Sequence, residues 1–516
     1  MLINIKKITA AVLVLILLLS GCRTELSDLQ EAVQEGISSA ASSPEQEASA
    51  DVESITSVRI PYDEEDGLHP YTCQTVVNRY ICGLLYGSLV LLNTDFSTSL
   101  SYAEHIVPSE GNMVWEITVR SGLLFSDGTE CGADDLRYSI LQAAAEGSYF
   151  QKSLESVSSV TKNGSYGVTV VLSDADRHFD SLLVFPLIKN GSADAPVALP
   201  GRYSLSEDGT QLLCNSDAKI QTVELVKLAD HSMLLQETRL GVYDIVYSDD
   251  PTGISVTSVG GMETMSSSNL VYVGMNSGRS FLNNLSFRQA LSLALDTEAV
   301  CEEIYRGYAE PAKGPFSPAF YDAAHLASYS CDLQAANQIL DDLGYENRSG
   351  EDYRLVGQSE LSLDILVCSD TGEKTELAAF LSETIESLGI RATVTALAYE
   401  KYLAAVEAGN FDLYLAEVKL GDNMDLGPLV LSGVYADDSG GSLAYGMPTS
   451  ESLSLAWLGY EDGTVSAADF SEAFYSVMPF LPICYRESAA VYSRNFSFEI
   501  GATEQDLFHG ILSWGS

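Results

Sequence analysis

Ser216 and Lys219 stand three apart in "NSDAK", the spacing at which a lysine takes a serine's proton and makes it a nucleophile. No Ser-Asp-Asn or Lys-Thr-Gly partner follows and no GxSxG elbow is present, so this acyl-transfer reading rests on two positions alone. The six histidines (69, 105, 178, 231, 325 and 509) are scattered without an HExxH or other paired spacing, which argues against zinc catalysis. In "NTDFSTSLSYAE", Asn93, Asp95, Ser97 and Glu104 occupy positions 1, 3, 5 and 12 of a calcium loop. Position 6, where the sharp turn needs glycine, is Thr98, and the calcium reading fails there. Of nine cysteines, Cys22 stands apart at the N-terminus. The other eight (73, 82, 131, 214, 301, 331, 368 and 484) contain no CxxC pair. Cys73/Cys82 and Cys301/Cys331 are conceivable bridges, and mostly buried thiols are the alternative. No catalytic centre, metal or cofactor is expected.

Cys22 closes a different pattern. Lys6 and Lys7 give a positive start, and Ile8 to Leu19 give an apolar run too short to span a bilayer comfortably. Leu19-Ser20-Gly21-Cys22 then has the form of a bacterial lipobox. Cleavage before Cys22 would leave its thiol acylated, and several acyl chains hold a protein on a membrane without a spanning helix. Residues 23–54 have no aromatic residue and are rich in Ser, Ala, Glu and Gln, so they read as a flexible tether. The net charge of -45, from 27 Lys+Arg against 72 Asp+Glu, argues against nucleic acid and against adhesion to anionic lipid. A hydrophobic content of 46% still supplies cores for two or three domains.

The elements that position any site alternate. "SITSVRIPYD" reads as a strand, Val76 to Leu85 as a helix, Val114 to Val119 as a strand and "SDGT" as a turn. Ala133 to Ala144 is a helix with Asp134 and Asp135 favouring its first turn. "YGVTVVLS", "QTVELVKL" and "NLVYVGMN" are strand-like. "SFRQALSLALDTEAVCEEIY" is a helix pattern broken near Asp296-Thr297. From "DLQAANQILDDLGY" through "LSLDILVC", "EKTELAAFLSETIESLGI", "RATVTALA", "YEKYLAAVEAGN" and "FDLYLAEVKL", helix and strand alternate. That order predicts a mixed or mostly parallel sheet with helices on its faces.

Several of these segments together resemble one family, the extracellular solute-binding proteins of oligopeptide and dipeptide ABC transporters. In "WEITVRSGLLFSDGTECGADDLRYSI" the positions Trp115, Arg120, Gly122, Phe125, Asp127, Gly128, Thr129, Ala133, Asp135, Tyr138 and Ser139 fall on its signature block in register. Asn276, Arg288, Ala290, Ala294, Asp296 and Gly307 fall on a second block, and "GNFDLYLAEVKL" and "MPFLPICY" resemble two later strands. The likeness runs over residues 55 to 516. Two segments depart from it: the family's P-V-G-T-G-P-Y turn reads "PVALPGRY" (Pro196 to Tyr203), and no Trp stands in "EVKLGDNMD" (Glu417 to Asp425).

The resemblance implies an α/β, two-lobed periplasmic-binding-protein-like fold (type II, cluster C). Lobe I would combine residues 55–86, 187–272 and 490–516, with an inserted subdomain at 87–186, and lobe II would be 273–489. It implies a lipid-anchored binder on the outer face of the cytoplasmic membrane, with a peptide or small-solute ligand and the permease and ATPase subunits as partners, and a monomeric state. The acid that takes a ligand's terminal ammonium would be Asp425 or Asp422, with Asp425 favoured, and Thr75, Val76, Tyr272 and Tyr485 would line the ligand. A sensor or adhesin on the same clamp is the alternative, and a surface serine hydrolase built on Ser216 is a remote one.

Overall fold

The computed structural model describes residues 55–516 except 256–258, 324–325, 327–329, 347–351, 432–442, 494–498 and 516. Cys22, the leader and the tether lie outside the described residues, as does His325. Among the described residues no helix is long and apolar enough to cross a membrane.

Alternation of side chains along strands organises the largest sheet. Gly261–Met275 and Phe480–Tyr492 pair antiparallel over most of their length, and Leu413–Lys419 joins the other edge of Gly261–Met275. Beyond it, Ser362–Cys368 pairs parallel with both Leu413–Lys419 and Arg391–Leu397. Val271, Val273 and Met275 face one apolar cluster together with Leu363, Ile365 and Val367. Leu270 and Tyr272 face another, with Leu366 and Cys368, as period-two geometry requires. The helices Leu285–Ala294, Leu333–Asp342 and Gly372–Ser387 cover the first face, while Glu451–Glu461 and Ala467–Val477 cover the second.

The mixed sheet predicted from the alternation is present. The expected short strand at "NLVYVGMN" is instead the end of a 15-residue strand. Its register shifts between Met265 and Asn269, a bulge that separates two pairing zones on Phe480–Tyr492. Past the bulge, Met265 and Ala490 leave the mixed-sheet clusters and pack with Ile245, Val58 and Ile60. That third core sits on the sheet Ser57–Tyr62, Thr222–Lys227, Gln211–Cys214 and Tyr203–Leu205, whose first pair is parallel. The helix Val76–Leu85 packs here through Ile81, Leu84 and Leu85, and residues 500–514 return to it through Ile500, Phe508 and Trp514.

A fourth core is built on the antiparallel sheet Ala103–Ser109, Val114–Val119, Gly167–Leu172 and Val157–Asn163. Here the signature block has structural work. Asp135 accepts from the N–H of Gly132 (2.9 Å) and of Asn190 (2.8 Å), and Ser139 Oγ bridges the peptide groups of Ile188. Together they pin the returning chain to the helix Ala133–Ala143. Arg288, from the second block, is buried and donates to the carbonyls of Leu282 and Met478, locking the helix Leu285–Ala294 to the turn before Phe480. Asp296 breaks the helix pattern where expected, by capping Thr297–Glu303 through the Ala299 N–H at 3.0 Å.

Three sequence readings find their places. Asn93 and Asp95 close a small hairpin, Val90–Leu92 with Thr98–Leu100, by bonding Ser97. Ser216 and Lys219 are exposed on the turn after Gln211–Cys214. Cys301 is buried and meets Cys484, whereas Cys331 is exposed and donates to the Ala294 carbonyl (3.6 Å), so the conceivable Cys301/Cys331 bridge is replaced by a thiol contact with a different partner.

Candidate functional site

Thr75 starts the site. Extended at φ -75°, it caps the helix Val76–Leu85, its Oγ1 donating to Asp66 (2.7 Å) while accepting weakly from the Asn78 N–H. That cap fixes the helix so that Val76, Arg79 and Tyr80 face a cavity of about 290 Å³. Its other walls come from distant parts of the chain: Tyr102 and Tyr149–Phe150, then Pro200–Arg202, then Tyr247 with Thr503–Asp506, and Lys419 at the end of Leu413–Lys419. The lining is aromatic with a few charges, the usual make-up of a small-molecule pocket.

Those charges include one cation held on an aromatic ring and one ion pair. Arg79 lies flat over the Tyr149 ring, 4.0 Å from its centroid. Lys419 Nζ pairs with Glu504 Oε1 at 2.7 Å. Glu504 is buried, and its Oε2 has no hydrogen-bond partner among the described residues; the same holds for His509 Nδ1 on the same wall. Buried polar atoms without partners are few in folded proteins, and each calls for a specific reason. Asp422 sits beside this wall, accepting from Gln505 Nε2 at 2.6 Å. Burial, then the neighbouring Glu504, push its carboxyl up to about 7, against the opposing pull of Lys419 and Gln505.

The sequence-predicted residues divide. Val76 lines the cavity, with Thr75 next to it as the helix cap, and Asp422 adjoins it through Gln505. Asp425 turns elsewhere. It is open to solvent, and one carboxylate oxygen accepts from the Gly427 N–H at 2.7 Å, at the start of Gly427–Val430. Tyr272 and Tyr485 sit in the core, 3% and 2% exposed, on neighbouring strands. Tyr485 donates to the Pro315 carbonyl at 2.6 Å, and Tyr272 packs on Phe480 at 5.3 Å. Arg79, Tyr149, Lys419 and Glu504 were not anticipated. Glu504 lies in a stretch without periodicity, and only the return of the C-terminal segment to the Val76–Leu85 helix brings it here.

A second polar cluster joins residues 112 and 176–178 to the loop at 423 and the helix Glu451–Glu461. Asp176 accepts from Asn423 (2.9 Å), Glu461 accepts from the Arg177 N–H (3.0 Å), and Asn112 donates to the Glu461 carbonyl (2.7 Å). His178 contacts the hydroxyls of Tyr460 and Tyr321 at 2.8 and 2.9 Å, and Arg177 pairs with Asp322 at 3.3 Å. Burial pushes the Asp176 carboxyl up to about 6, with Asp425 adding to the rise, and burial together with Asp176 and Asp425 pushes Glu461 well above the usual carboxylate range.

Residues 214–434 match the family model described as bacterial extracellular solute-binding proteins, family 5 Middle. The oligopeptide-binding protein AppA of Bacillus subtilis (strain 168) is 21% identical over 364 residues, 64% of this chain and 66% of that one. The glutathione-binding protein GsiB of Shigella boydii serotype 4 is 20% identical over 370 residues, covering 66% and 69%. The chain thus spans about two thirds of the length of these curated relatives. Among solved structures, a nickel ABC transporter protein from Bacillus halodurans superposes with a TM-score of 0.71 at 18% identity, over 88% of this chain and 98% of that one. At that identity the likeness establishes the fold, the two-lobed α/β architecture expected from the sequence.

Proposed function

We infer, from the match of residues 214–434 to the model of bacterial extracellular solute-binding proteins of family 5, that the chain belongs to that family, captures peptides or similar small solutes outside the membrane and delivers them to the permease of an ABC transporter. Its relatives are named as binding proteins, and this chain is a binder without chemistry of its own. The observation that carries the reading is the cavity. It places the cations Arg79 and Lys419 and the acid Glu504 among aromatic walls, with Asp422 adjoining through Gln505. That is the pattern a zwitterion with an apolar body needs: Glu504 Oε2 and Asp422 accept from an ammonium, and Arg79 donates to a carboxylate. Asp422 therefore takes precedence over Asp425 as the ammonium acid. Residues 55–86, 187–272 and 490–516 form one lobe, 87–186 its inserted subdomain and 273–489 the other lobe, with hinge closure burying the ligand. Cys22 anchors the monomeric chain to the outer membrane face, and residues 23–54 give it reach. The exposed Ser216/Lys219 turn, apart from the cavity, supports no hydrolase.

Thermal denaturation of the full chain with peptide pools, sugars and metal chelates tests this. A ligand that binds only the folded state raises Tm by mass action. Peptides are expected to raise it; a shift by sugars or chelates alone overturns the peptide assignment. For the anchor, Cys22→Ser is expected to move the protein from the membrane fraction to the medium and to remove the acyl mass. Retention of both contradicts it.

A further inference from the structure

Two thiols on the cavity wall have no part in that reading. Cys73 lies in the loop leading into the helix Val76–Leu85, and Cys82 lies within the helix. Both are buried, both line the cavity, and their sulfurs are 3.7 Å apart. Cys82 has a second, weak contact to the His69 carbonyl at 3.9 Å. Either thiol can donate across this contact; the pairing lowers the Cys73 pKa and, with burial, raises that of Cys82, and Cys73, outside the helix, is the freer of the two to move. Cys73 is thus the nucleophile of the pair and Cys82 the resolving thiol.

We propose that Cys73 and Cys82 form a redox site on the cavity wall, where thiol–disulfide exchange with a small external disulfide joins them and fixes the entry loop to the helix. The Cys73 thiolate attacks one sulfur of the external disulfide, which expels the other as a thiolate. The Cys82 thiolate then attacks the Cys73 sulfur and expels the second. Two protein thiols lose two electrons, one external disulfide gains them as two thiols, and the two protein protons pass to the departing thiolates. Closing from 3.7 Å to a bond of about 2 Å asks for a movement under 2 Å. Cys73, outside the helix, supplies it. The cavity provides the way in. Cys301 and Cys484 make the same kind of contact inside the core beneath the helices, but neither lines the cavity, so the same oxidant does not reach them.

The test is made on the folded full chain exposed to glutathione disulfide, followed by alkylation and tryptic digestion without reductant. Arg79 lies between the two cysteines, so the bridge joins peptides 60–79 and 80–120, which otherwise separate. The linked species is expected at the sum of their masses less about 2 Da, the two hydrogens lost. It should disappear on reduction and in Cys73→Ser and Cys82→Ser. Amide hydrogen exchange across 70–76 should slow several-fold in the oxidised form. A glutathione adduct that stays on Cys73, no link at all, or a link with unchanged exchange overturns the proposal. So does equally fast linking of Cys301 to Cys484, which removes the role of the cavity.

Discussion

Asp422 and Asp425 are three residues apart on one loop, yet their surroundings differ. Asp422 bonds Gln505 beside the cavity, whereas Asp425 is occupied by the Gly427 N–H. The loop was legible in the sequence because it follows a recognisable strand; the direction of the Asp422 side chain was not, since it depends on a C-terminal segment 83 residues away. Tyr485 makes the same point. Its place in "MPFLPICY" was readable, but the side of the strand it faces puts it in the core. Tyr485→Phe removes the bond to the buried Pro315 carbonyl. It should cost about 1 kcal/mol in denaturant unfolding and leave ligand affinity unchanged; a large loss of affinity at unchanged stability would return Tyr485 to the site. Thr75→Ala should likewise lower stability by about 1 kcal/mol through loss of the helix cap, and an unchanged melting curve would show that Asp66 holds the helix start without it.

At the level of elements, helix boundaries were the most readable feature. Val76–Leu85 and the break at Asp296 are set by local caps, which neighbouring residues announce. The lengths of Gly261–Met275 and Phe480–Tyr492 were not readable, because "SSSN" carries no strand pattern: its serines fall in the bulge, held by Ser267 and Ser268 bonding to backbone carbonyls, and pairing resumes at Asn269. The unusual turn "PVALPGRY" has a packing explanation. A Cβ on Gly201 would lie 2.3 Å from the Leu84 carbonyl oxygen and 2.6 Å from the Leu85 carbonyl carbon. Gly201→Ala must push the turn off the helix end that forms the cavity wall. We expect a loss on the order of 3 kcal/mol together with weaker ligand binding; wild-type stability in a denaturant titration would show that the contact yields freely.

Across the whole molecule, the junction of residues 112 and 176–178 with 423 and 460–461 ties segments that the sequence separates by hundreds of residues. Its acids give a signed pH dependence. Asp176, raised from 3.8 to about 6, and Glu461, raised well above the usual carboxylate range, stay protonated in the native state where the unfolded chain would be ionised. The native state therefore holds more protons between about pH 4 and 6, so this contribution is complete below 4 and is lost as pH rises through 6. Asp176→Asn should flatten the fall of unfolding midpoint between about pH 4 and 6 relative to wild type; parallel profiles would contradict the assignment.

The central claim is that the cavity between Arg79, Lys419, Glu504 and Asp422 binds a zwitterionic solute. Its most direct test is an equilibrium titration of the folded full chain with a pool of short peptides, beside Glu504→Gln and Asp422→Asn. The account predicts saturable one-to-one binding by wild type, weakened at least about tenfold, or 1.4 kcal/mol, in Glu504→Gln, and weakened too in Asp422→Asn. Peptide binding that neither substitution alters would contradict it.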